Sequence, residues 1–383
     1  MSYKILILSG NTGEGHNSAA KALQHYIESL GMDSDVYDTL SLKNERISRI
    51  VSRLYEFSVR FSIFSAIYAF AEWYSNRGYK RKSPVYHLCK LLAGRLSELI
   101  TEKKYDAVVC THLFPAEIMT HLRLEHGLRT PSFFISTDYT CYPFVAETDL
   151  DGYMIAHSDL IPEYISKGIP AGKIYTTGIP CLSGKQSART SRTEARRKIV
   201  SEFWWDCKSF TGSWYLLAGG SLGFGNIVNL VQNLSDLCVP DDKIICVCGK
   251  NVRLKHKLDK KFHDSSIVKT IGYTDMIPLL MDACDVLLTK PGGLTSTEAI
   301  NRGIPLIHTL PIKGIEDKNA RFYSDRNISF YSDDSKTQAA YAVRLSEEKD
   351  CRKAMVESQK DNRIKDSCKL ITDIIINKLN SQT

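Results

Sequence analysis

The sequence of 383 residues lacks the features that mark several classes of protein. Its eleven cysteines include no Cys-x-x-Cys pair and stand mostly in apolar runs such as Val108-Val109-Cys110, which indicates reduced core thiols of a cytoplasmic protein. Near the start only Ile5 to Leu8 are consecutively apolar, whereas a secretory signal needs roughly 7 to 15 such residues. The longest apolar stretch, Phe61 to Trp73, is interrupted by polar residues and is shorter than the roughly 20 residues that cross a bilayer. We therefore expect neither an exported protein nor an integral membrane protein.

Two common nucleotide-binding motifs are also absent. The spacing from Gly10 to Gly15 fits a P-loop, but His16 and Asn17 follow where that motif needs Lys and Ser or Thr. A Gly-x-Gly-x-x-Gly motif fails as well, because Gly13-x-Gly15 leads to Ser18. These absences disfavour a P-loop ATPase and a nicotinamide-dependent dehydrogenase.

The composition is that of a soluble globular protein, with 43% hydrophobic and 24% charged residues. The formal net charge of +7 predicts an acidic partner, which composition alone leaves open among nucleic acid, an anionic membrane surface and a phosphorylated substrate. No nucleic-acid-binding module is recognisable, so nucleic acid is the partner we least expect.

Both halves of the chain alternate short β-rich apolar runs with helical stretches, which is typical of parallel sheets covered by helices. The predicted strands are residues 4–9, 35–38, 106–111, 132–136, 152–155 and 173–176, then 214–218, 243–247, 267–271, 286–289 and 305–308. The stretch 182–194 is polar and lacks apolar periodicity, so it is the predicted linker. We expect an α/β protein with one domain over residues 1–185, a second over 196–350, and C-terminal helices over 351–383.

Residues 47–95 contain no strand signal and interrupt this alternation with helical sequence. Aromatic and basic side chains are mixed in this insertion, a composition that suits helices lying among lipid headgroups. The alternative is that the aromatic stripe packs on the domain core and the cations are solvated. On the first interpretation the membrane-contacting residues are Arg53, Arg60, Phe64, Tyr68, Trp73 and Arg77.

The first of three glycine-rich turns follows the first predicted strand and opens a helix. Glycines at such a turn let the backbone approach a ligand, and the helix start offers free N–H groups to an anion. His16 stands there among glycines rather than bulky side chains, and a histidine has a suitable pKa for a general base. His112 and Asp138 follow two other predicted strands and are further candidates, although Asp138 could simply cap a turn.

The second and third turns lie in the second half. Residues 219–225 follow a predicted strand and contain four glycines, which could hold a diphosphate. The third turn, Lys290-Pro-Gly-Gly293, joins a buried strand to a helix. Glu298 in that helix could bind a ribose, or Thr295 and Glu298 could form a capping box in which the carboxylate only satisfies backbone N–H groups.

In these turns the sequence resembles glycosyltransferase family 28. The likeness rests on Gly13-Glu-Gly-His16, on Gly219-Gly-Ser221 and on the block from Lys290 to Ala299, followed by a loop with Glu316 and Asn319. Within the family it is similar to the branch of diacylglycerol glycosyltransferases and monogalactosyldiacylglycerol synthases. The resemblance implies the GT-B fold: two Rossmann-like domains facing a cleft, with the acceptor on the N-terminal domain, the UDP-sugar on the C-terminal one, and the last helices returning to the first.

The resemblance also implies roles for individual residues. His16 matches the catalytic base, and Asp138 is the candidate second catalytic carboxylate. The residues matched to substrate and UDP-sugar binding are Gly13, Gly15, Gly220, Ser221, Gly292, Gly293, Leu294, Thr295, Glu298, Glu316 and Asn319. The sequence departs from the family pattern in two places. Lys313-Gly-Ile-Glu316 stands where the family has Pro-Gly-Gln-Glu, so that Ile315 replaces an amide of the sugar-reading loop. Tyr142 and Val145 stand where many relatives have histidine and tryptophan.

The expected reaction is inverting transfer of a hexose from UDP-glucose or UDP-galactose to a lipid hydroxyl, diacylglycerol above all, at the cytoplasmic face of the membrane. The resemblance implies no metal and no other cofactor, and we attribute the Asp149-x-Asp151 pair to chance. Two alternatives remain: a UDP-sugar epimerase or hydrolase on the same fold, and a non-catalytic protein that binds UDP-sugar.

Overall fold

The computed structural model describes residues 3–10, 14–42, 49–50, 53–54, 57, 63–76, 82–182, 188–203, 210–219 and 226–382. The chain divides into two compact units. The first comprises residues 1–183, 313–315 and 364–383, and the second comprises residues 184–312 and 316–363. The division at residue 183 falls within the predicted linker.

The first unit is built on a parallel sheet of six strands. These are β1 (Lys4–Ser9), β2 (Asp33–Asp38), β3 (Ala107–Cys110), β4 (Ser132–Ile135), β5 (Gly152–Ile155) and β6 (Ile174–Thr176). Their order is β2-β1-β3-β4-β5-β6, so the order reverses between β1 and β3. In open α/β sheets, ligands bind beyond the carboxyl ends of the strands at this reversal.

Helices of the first unit connect its strands. They are α1 (Glu14–Ser29), α2 (Ile63–Ser75), α3 (Pro84–Cys89), α4 (Ala93–Lys103), α5 (Leu113–His126) and α6 (Ile161–Ser166). Helices α2 to α4 lie in the insertion between β2 and β3. None of the described helices is both long and apolar enough to cross a membrane.

The second unit contains a second parallel sheet of six strands. These are β7 (Trp214–Ala218), β8 (Lys243–Val247), β9 (Val268–Ile271), β10 (Val286–Thr289), β11 (Leu306–His308) and β12 (Phe330–Tyr331). Their order is β9-β8-β7-β10-β11-β12, which is the strand order of the Rossmann fold. Here the reversal lies between β7 and β10, the strands that precede the second and third glycine-rich turns.

The helices of the second unit cover both faces of its sheet. They are α7 (Arg192–Glu202), α8 (Ile227–Ser235), α9 (Val252–Lys261), α10 (Ile277–Ala283), α11 (Gly293–Arg302), α12 (Ile315–Asp325), α13 (Ser335–Glu347) and α14 (Lys349–Asn362). Two buried apolar clusters pack against the strands. Isoleucine, valine and leucine of the strands contribute six residues to each cluster, and residues of the helices supply most of the rest, as expected for a sheet buried on both faces.

The C-terminal helices divide between the two units, whereas the sequence analysis grouped residues 351–383 together. Helix α14 belongs to the second unit, where Met355 joins the core. Helix α15 (Ser367–Asn380) belongs to the first unit, because Ile371 and Ile375 lie on one helix face and are fully buried with Ile5 and Ile7 of β1. The C-terminal segment that belongs to the first unit therefore begins at residue 364.

Candidate functional site

His16 and His112 meet at the strand-order reversal of the first unit. His16 lies in the first turn of α1, just after β1, and His112 caps the start of α5, just after β3. Their rings contact edge to face with centroids 4.8 Å apart. Gly10 permits this approach, because a Cβ atom at that position would lie 2.8 Å from Cγ of His112. The two histidines thus lie side by side, because β1 and β3 are neighbouring parallel strands whose carboxyl ends adjoin.

The hydrogen bonds of His16 define which ring nitrogen is available for chemistry. Nδ1 lies 2.7 Å from the carbonyl oxygen of Thr111 and 3.0 Å from the hydroxyl oxygen of Thr137. A carbonyl oxygen can only accept, so Nδ1 carries the hydrogen and the neutral ring keeps its lone pair on Nε2. Burial lowers the pKa of His16, and the negative charge of Asp138 and the bond to Thr111 oppose that effect in part. A neutral imidazole with a free lone pair can accept a proton from a hydroxyl group.

Asp138 is connected to His16 through two hydroxyl groups. The Tyr142 hydroxyl donates to Oδ2 of Asp138 and lies 3.1 Å from the Thr137 hydroxyl, which in turn contacts Nδ1 of His16. Burial, together with the charge of Asp138, raises the pKa of Tyr142 well above its usual value, so its hydroxyl keeps its hydrogen. We call His16, Thr137, Tyr142 and Asp138 the relay. His16 and Asp138, its two ends, were predicted from the sequence, whereas Thr137 and the part that Tyr142 plays were not.

His112 remains neutral in this arrangement. Burial lowers its pKa well below the usual value, and the adjacent His16 adds to the effect. Its Nδ1 accepts a hydrogen bond of 3.2 Å from the backbone N–H of Phe114. That bond requires the Nδ1 lone pair, so His112 has a structural task at the start of α5 besides its contact with His16.

The third glycine-rich turn occupies the equivalent place in the second unit. Gly292 is the N-cap residue of α11, and the helix begins at Gly293, so Leu294 and Thr295 already lie in its first turn. Thr295 is therefore not an N-cap, and the capping-box interpretation of Thr295 and Glu298 is wrong. The helix begins at the two glycines, earlier in the chain than that pattern implied. Its first N–H groups therefore have no side-chain cap.

Glu298 is half-buried on α11 with no hydrogen bond or ion pair to its carboxylate from the residues that the structure describes. Burial raises its pKa to about 7, while Arg302 one turn later opposes that effect. A partly desolvated carboxyl group that has no partner among the described residues is suited to accept hydrogen bonds from a polyol ligand.

Glu316 and Asn319 lie on α12 and contact the turn before α11. Oε1 of Glu316 is 2.5 Å from Nζ of Lys290, and Oε2 accepts the backbone N–H of Ile312 at 2.7 Å. The fully buried Asn319 donates to the carbonyl oxygen of Pro291 at 2.9 Å. These bonds join the two loops that the sequence analysis had matched to donor binding. No role was predicted for Lys290 from the sequence. Its position as a cation directly after a buried strand was the signal that could have identified it as a site residue.

Five of the predicted site residues lie outside the described residues: Gly13, Gly220, Ser221, Arg60 and Arg77. The side chain of Phe64 also lies outside them, although its backbone is part of α2. Gly15 lies in the first turn of α1, beside His16.

Helix α2 presents an apolar stripe on its exposed face. The stripe consists of Ile63, Ile67, Phe70 and Trp73, whose side chains are 45 to 62% exposed. Tyr68 was expected to contact lipid, but it is only 6% exposed because it lies on the opposite face of the helix. Arg53, in the same insertion, is exposed.

No three His, Cys, Asp or Glu side chains converge as a metal site would require within the part of the chain that the structure describes. Asp149 pairs with Lys173 at 2.8 Å, and Asp151 forms an ion pair with Arg123. Both carboxylates of Asp149-x-Asp151 thus form ion pairs with cationic side chains of the same unit.

Comparisons with known proteins agree with the two-unit architecture. Residues 16–181 match the model of monogalactosyldiacylglycerol (MGDG) synthase, and residues 215–371 match that of the glycosyltransferase family 28 C-terminal domain. A processive diacylglycerol beta-glucosyltransferase of Bacillus pumilus is 28% identical over 97% of this chain and 94% of its own length. The enzyme of the same name from Bacillus subtilis is 26% identical over 99% of this chain and 96% of its own.

Solved structures show the same fold at low sequence identity. Acinetobacter baumannii MurG superposes with a TM-score of 0.62 at 12% identity, over 98% of this chain and all of that one. The UDP complex of S. aureus MnaA superposes with a TM-score of 0.66 at 13% identity, over 99% of this chain and 97% of that one. The protein thus has the α/β GT-B fold, and the chain belongs to glycosyltransferase family 28, in the branch of the diacylglycerol glycosyltransferases and monogalactosyldiacylglycerol synthases.

Proposed function

We propose that this protein transfers glucose from UDP-glucose to the hydroxyl group of diacylglycerol, with inversion at the anomeric carbon. The observation that carries the proposal is the hydrogen bond from Nδ1 of His16 to the carbonyl oxygen of Thr111, which leaves Nε2 as the proton acceptor. His16 then removes the proton of the lipid hydroxyl as its oxygen attacks the anomeric carbon and UDP leaves. The relay to Asp138 stabilises the imidazolium that forms.

The donor half of the proposal rests on the second unit. The uncapped N–H groups at the start of α11 favour an anion, which suits the diphosphate of UDP and the charge it gains on leaving. Glu298 accepts hydrogen bonds from the ribose. Glucose is proposed over galactose because the Bacillus relatives that match nearly the whole chain are named beta-glucosyltransferases.

The acceptor half includes a peripheral membrane contact at the cytoplasmic face. Isoleucine, phenylalanine and tryptophan side chains on the exposed stripe of α2 would enter the lipid interface, and exposed cations of the same insertion, such as Arg49 and Arg53, would meet anionic headgroups. This placement brings the enzyme to an acceptor that is itself embedded in the bilayer. Tyr68 packs within the protein and has no part in the contact.

The proposed reaction uses no metal ion. The helix start and the loop cation Lys290 offset the charge that develops on the leaving diphosphate. Turnover should therefore continue in EDTA, and complete loss of activity in EDTA would contradict a metal-free mechanism.

Mass spectrometry of lipid products tests the proposal directly. The protein is incubated with diacylglycerol vesicles and an equimolar mixture of UDP-glucose, UDP-galactose and UDP-N-acetylglucosamine, and we expect mainly glucosyl-diacylglycerol. His16→Ala should lower the rate by about 10²–10⁴. A parallel incubation without lipid separates transfer from epimerisation or hydrolysis, since conversion of the donor alone would contradict the transferase assignment. A His16→Ala variant with nearly full activity would refute the role of His16.

A further inference from the structure

The ion pair between Lys290 and Glu316 lies beside the start of α11. Lys290 is the first residue after β10, and Glu316 lies in the first turn of α12. Their side chains are 26% and 9% exposed, so the pair is largely shielded from water. A Cβ atom on Gly292, the N-cap of α11, would lie 3.9 Å from Cε of Lys290 and 4.0 Å from Oε1 of Glu316. The pair is thus next to the helix start to which the diphosphate is assigned.

The two oxygens of Glu316 are held in different ways. Oε2 accepts the backbone N–H of Ile312, while the backbone N–H of Glu316 donates to the carbonyl oxygen of Ile312 at 3.3 Å. These two bonds close the loop before α12 and fix the orientation of the carboxylate. Oε1 has Lys290 as its partner. An exchange of partners at Oε1 would therefore leave the loop closed.

A diphosphate is a stronger competitor for the Lys290 ammonium than one carboxylate. It carries more negative charge, and lysine is a common ligand of phosphate groups in nucleotide sites. The ammonium at 2.5 Å takes one of the two lone pairs of Oε1, so a sugar hydroxyl that approaches this atom has to share it with Lys290. In this structure the lysine suited to bind phosphate and the carboxylate matched to sugar recognition are thus bound to each other.

We propose that the diphosphate of UDP-sugar takes Lys290 from Glu316, and that the released Oε1 then accepts a hydrogen bond from the hexose. This inference rests on the proposed function. Lys290 is then a diphosphate-binding residue. Because Lys290 leaves Glu316 only when the diphosphate binds, recognition of the sugar depends on binding of the nucleotide. A free hexose is a weak competitor for the place of Lys290 at Oε1, because it cannot replace the charge that Lys290 would lose.

Calorimetric titration of the full chain with UDP and with UDP-glucose, without lipid, tests this exchange. Glu316→Gln retains an oxygen for the Ile312 N–H and removes the charge that competes for Lys290. We expect it to bind UDP about threefold to tenfold more tightly than the wild type, because a partly buried ion pair no longer has to be broken. The additional affinity of UDP-glucose over UDP should disappear, since the glutamine amide donates where the carboxylate accepted.

Lys290→Met should weaken UDP binding about tenfold or more. The double variant Lys290→Met/Glu316→Gln should bind UDP as weakly as Lys290→Met alone, because the gain from Glu316→Gln requires the lysine. A matched control is the exposed pair of Lys360 and Glu357 in the same unit, whose neutralisation should change neither affinity. A merely structural role for Glu316 would lower both affinities together and leave their ratio unchanged.

The outcomes separate this inference from the proposed function. Unchanged or weaker UDP binding by Glu316→Gln, or a gain that persists in the double variant, would overturn the exchange. If the two single variants, the double variant and the control behave as expected but no glycolipid forms, the exchange stands and the proposed acceptor is wrong. A wild-type chain that binds no UDP would overturn both.

Discussion

Replacing Asp138 with asparagine isolates the electrostatic part of the relay. Asparagine keeps a carbonyl oxygen that can accept the Tyr142 hydroxyl, so the hydrogen-bonded chain to His16 can persist while its terminal charge is lost. Burial lowers the pKa of His16, and the charge of Asp138 opposes that effect. The variant should therefore have a His16 pKa below that of the wild type. The rise of kcat/KM with pH should then occur at lower pH, and its plateau should fall because the base is weaker.

The size of the loss can be worked from the chain of hydrogen bonds. The bonds from His16 to Thr137 and from Thr137 to Tyr142 measure 3.0 and 3.1 Å, and a third joins Tyr142 to Asp138. The carboxylate is thus roughly 8 Å from the ring if the three bonds run in line, and unit charges about 8 Å apart interact by about 2 kcal/mol at an effective dielectric constant of about 20. That energy corresponds to about thirtyfold in rate, so we expect kcat to fall about tenfold to thirtyfold.

The assay is the pH dependence of glucosyl-diacylglycerol formation at varied UDP-glucose, with Asp149→Asn as the control. Asp149 is a carboxylate of the same unit that pairs with Lys173, so its variant should leave the profile unchanged. If Asp138→Asn lowered kcat without moving the ascending limb, Asp138 would act only by shaping its loop. An ascending limb at higher pH would refute the electrostatic reasoning altogether.

Three further predictions concern the donor site, the membrane face and the core. UDP-glucose should bind more tightly as pH rises through about 7, because burial places the pKa of Glu298 at about 7 and only its carboxylate accepts both ribose hydroxyls. Calorimetry with UDP-glucose on Glu298→Gln should find a flat profile, since the diphosphate of this ligand does not titrate near pH 7. Phe70→Glu with Trp73→Glu should weaken co-sedimentation with anionic vesicles about tenfold and leave the melting temperature unchanged, since both side chains are exposed. Ile371→Ala should lower the free energy of unfolding by about 2–5 kcal/mol in urea titrations.

Controls for these variants come from the same chain. Leu237→Glu with Val239→Glu introduces the same two charges at exposed residues of the second unit and should not alter vesicle binding. Leu370→Ala, next to Ile371 but 37% exposed, should cost much less stability than Ile371→Ala. Equal vesicle binding by the α2 variant and the wild type would remove α2 from the proposed membrane contact. An equal cost at residues 370 and 371 would contradict the packing of α15 in the first unit.

The strands were predictable because each carries a local signal. Parallel strands buried on both faces are continuous apolar runs, and the predicted limits agree with the observed ones to within two residues. β12 was missed because its two residues, Phe330 and Tyr331, are too few to form a recognisable run. The strand order has no local signal, since pairing joins residues far apart in sequence.

The errors at the site have equally specific causes. The Thr295 and Glu298 spacing satisfied a capping pattern, but that pattern does not say where the helix begins, and Gly292 begins it earlier. The aromatic residues of the insertion showed helical spacing, which establishes that α2 has two faces but not which one is buried. Tyr68 was assigned to the wrong face for that reason.

The relay shows why a connection between two predicted residues can escape sequence reasoning. Thr137, Asp138 and Tyr142 lie within one loop after β4, and the chain must fold back there to bring the tyrosine hydroxyl between the other two side chains. Phe144, just beyond, has a left-handed backbone with φ of 71°, which a non-glycine residue adopts only where surrounding contacts support it. Residue spacing gives no sign of such a turn. A tyrosine near a predicted catalytic carboxylate is therefore worth testing as a hydrogen-bond bridge, even where the family's usual histidine is missing.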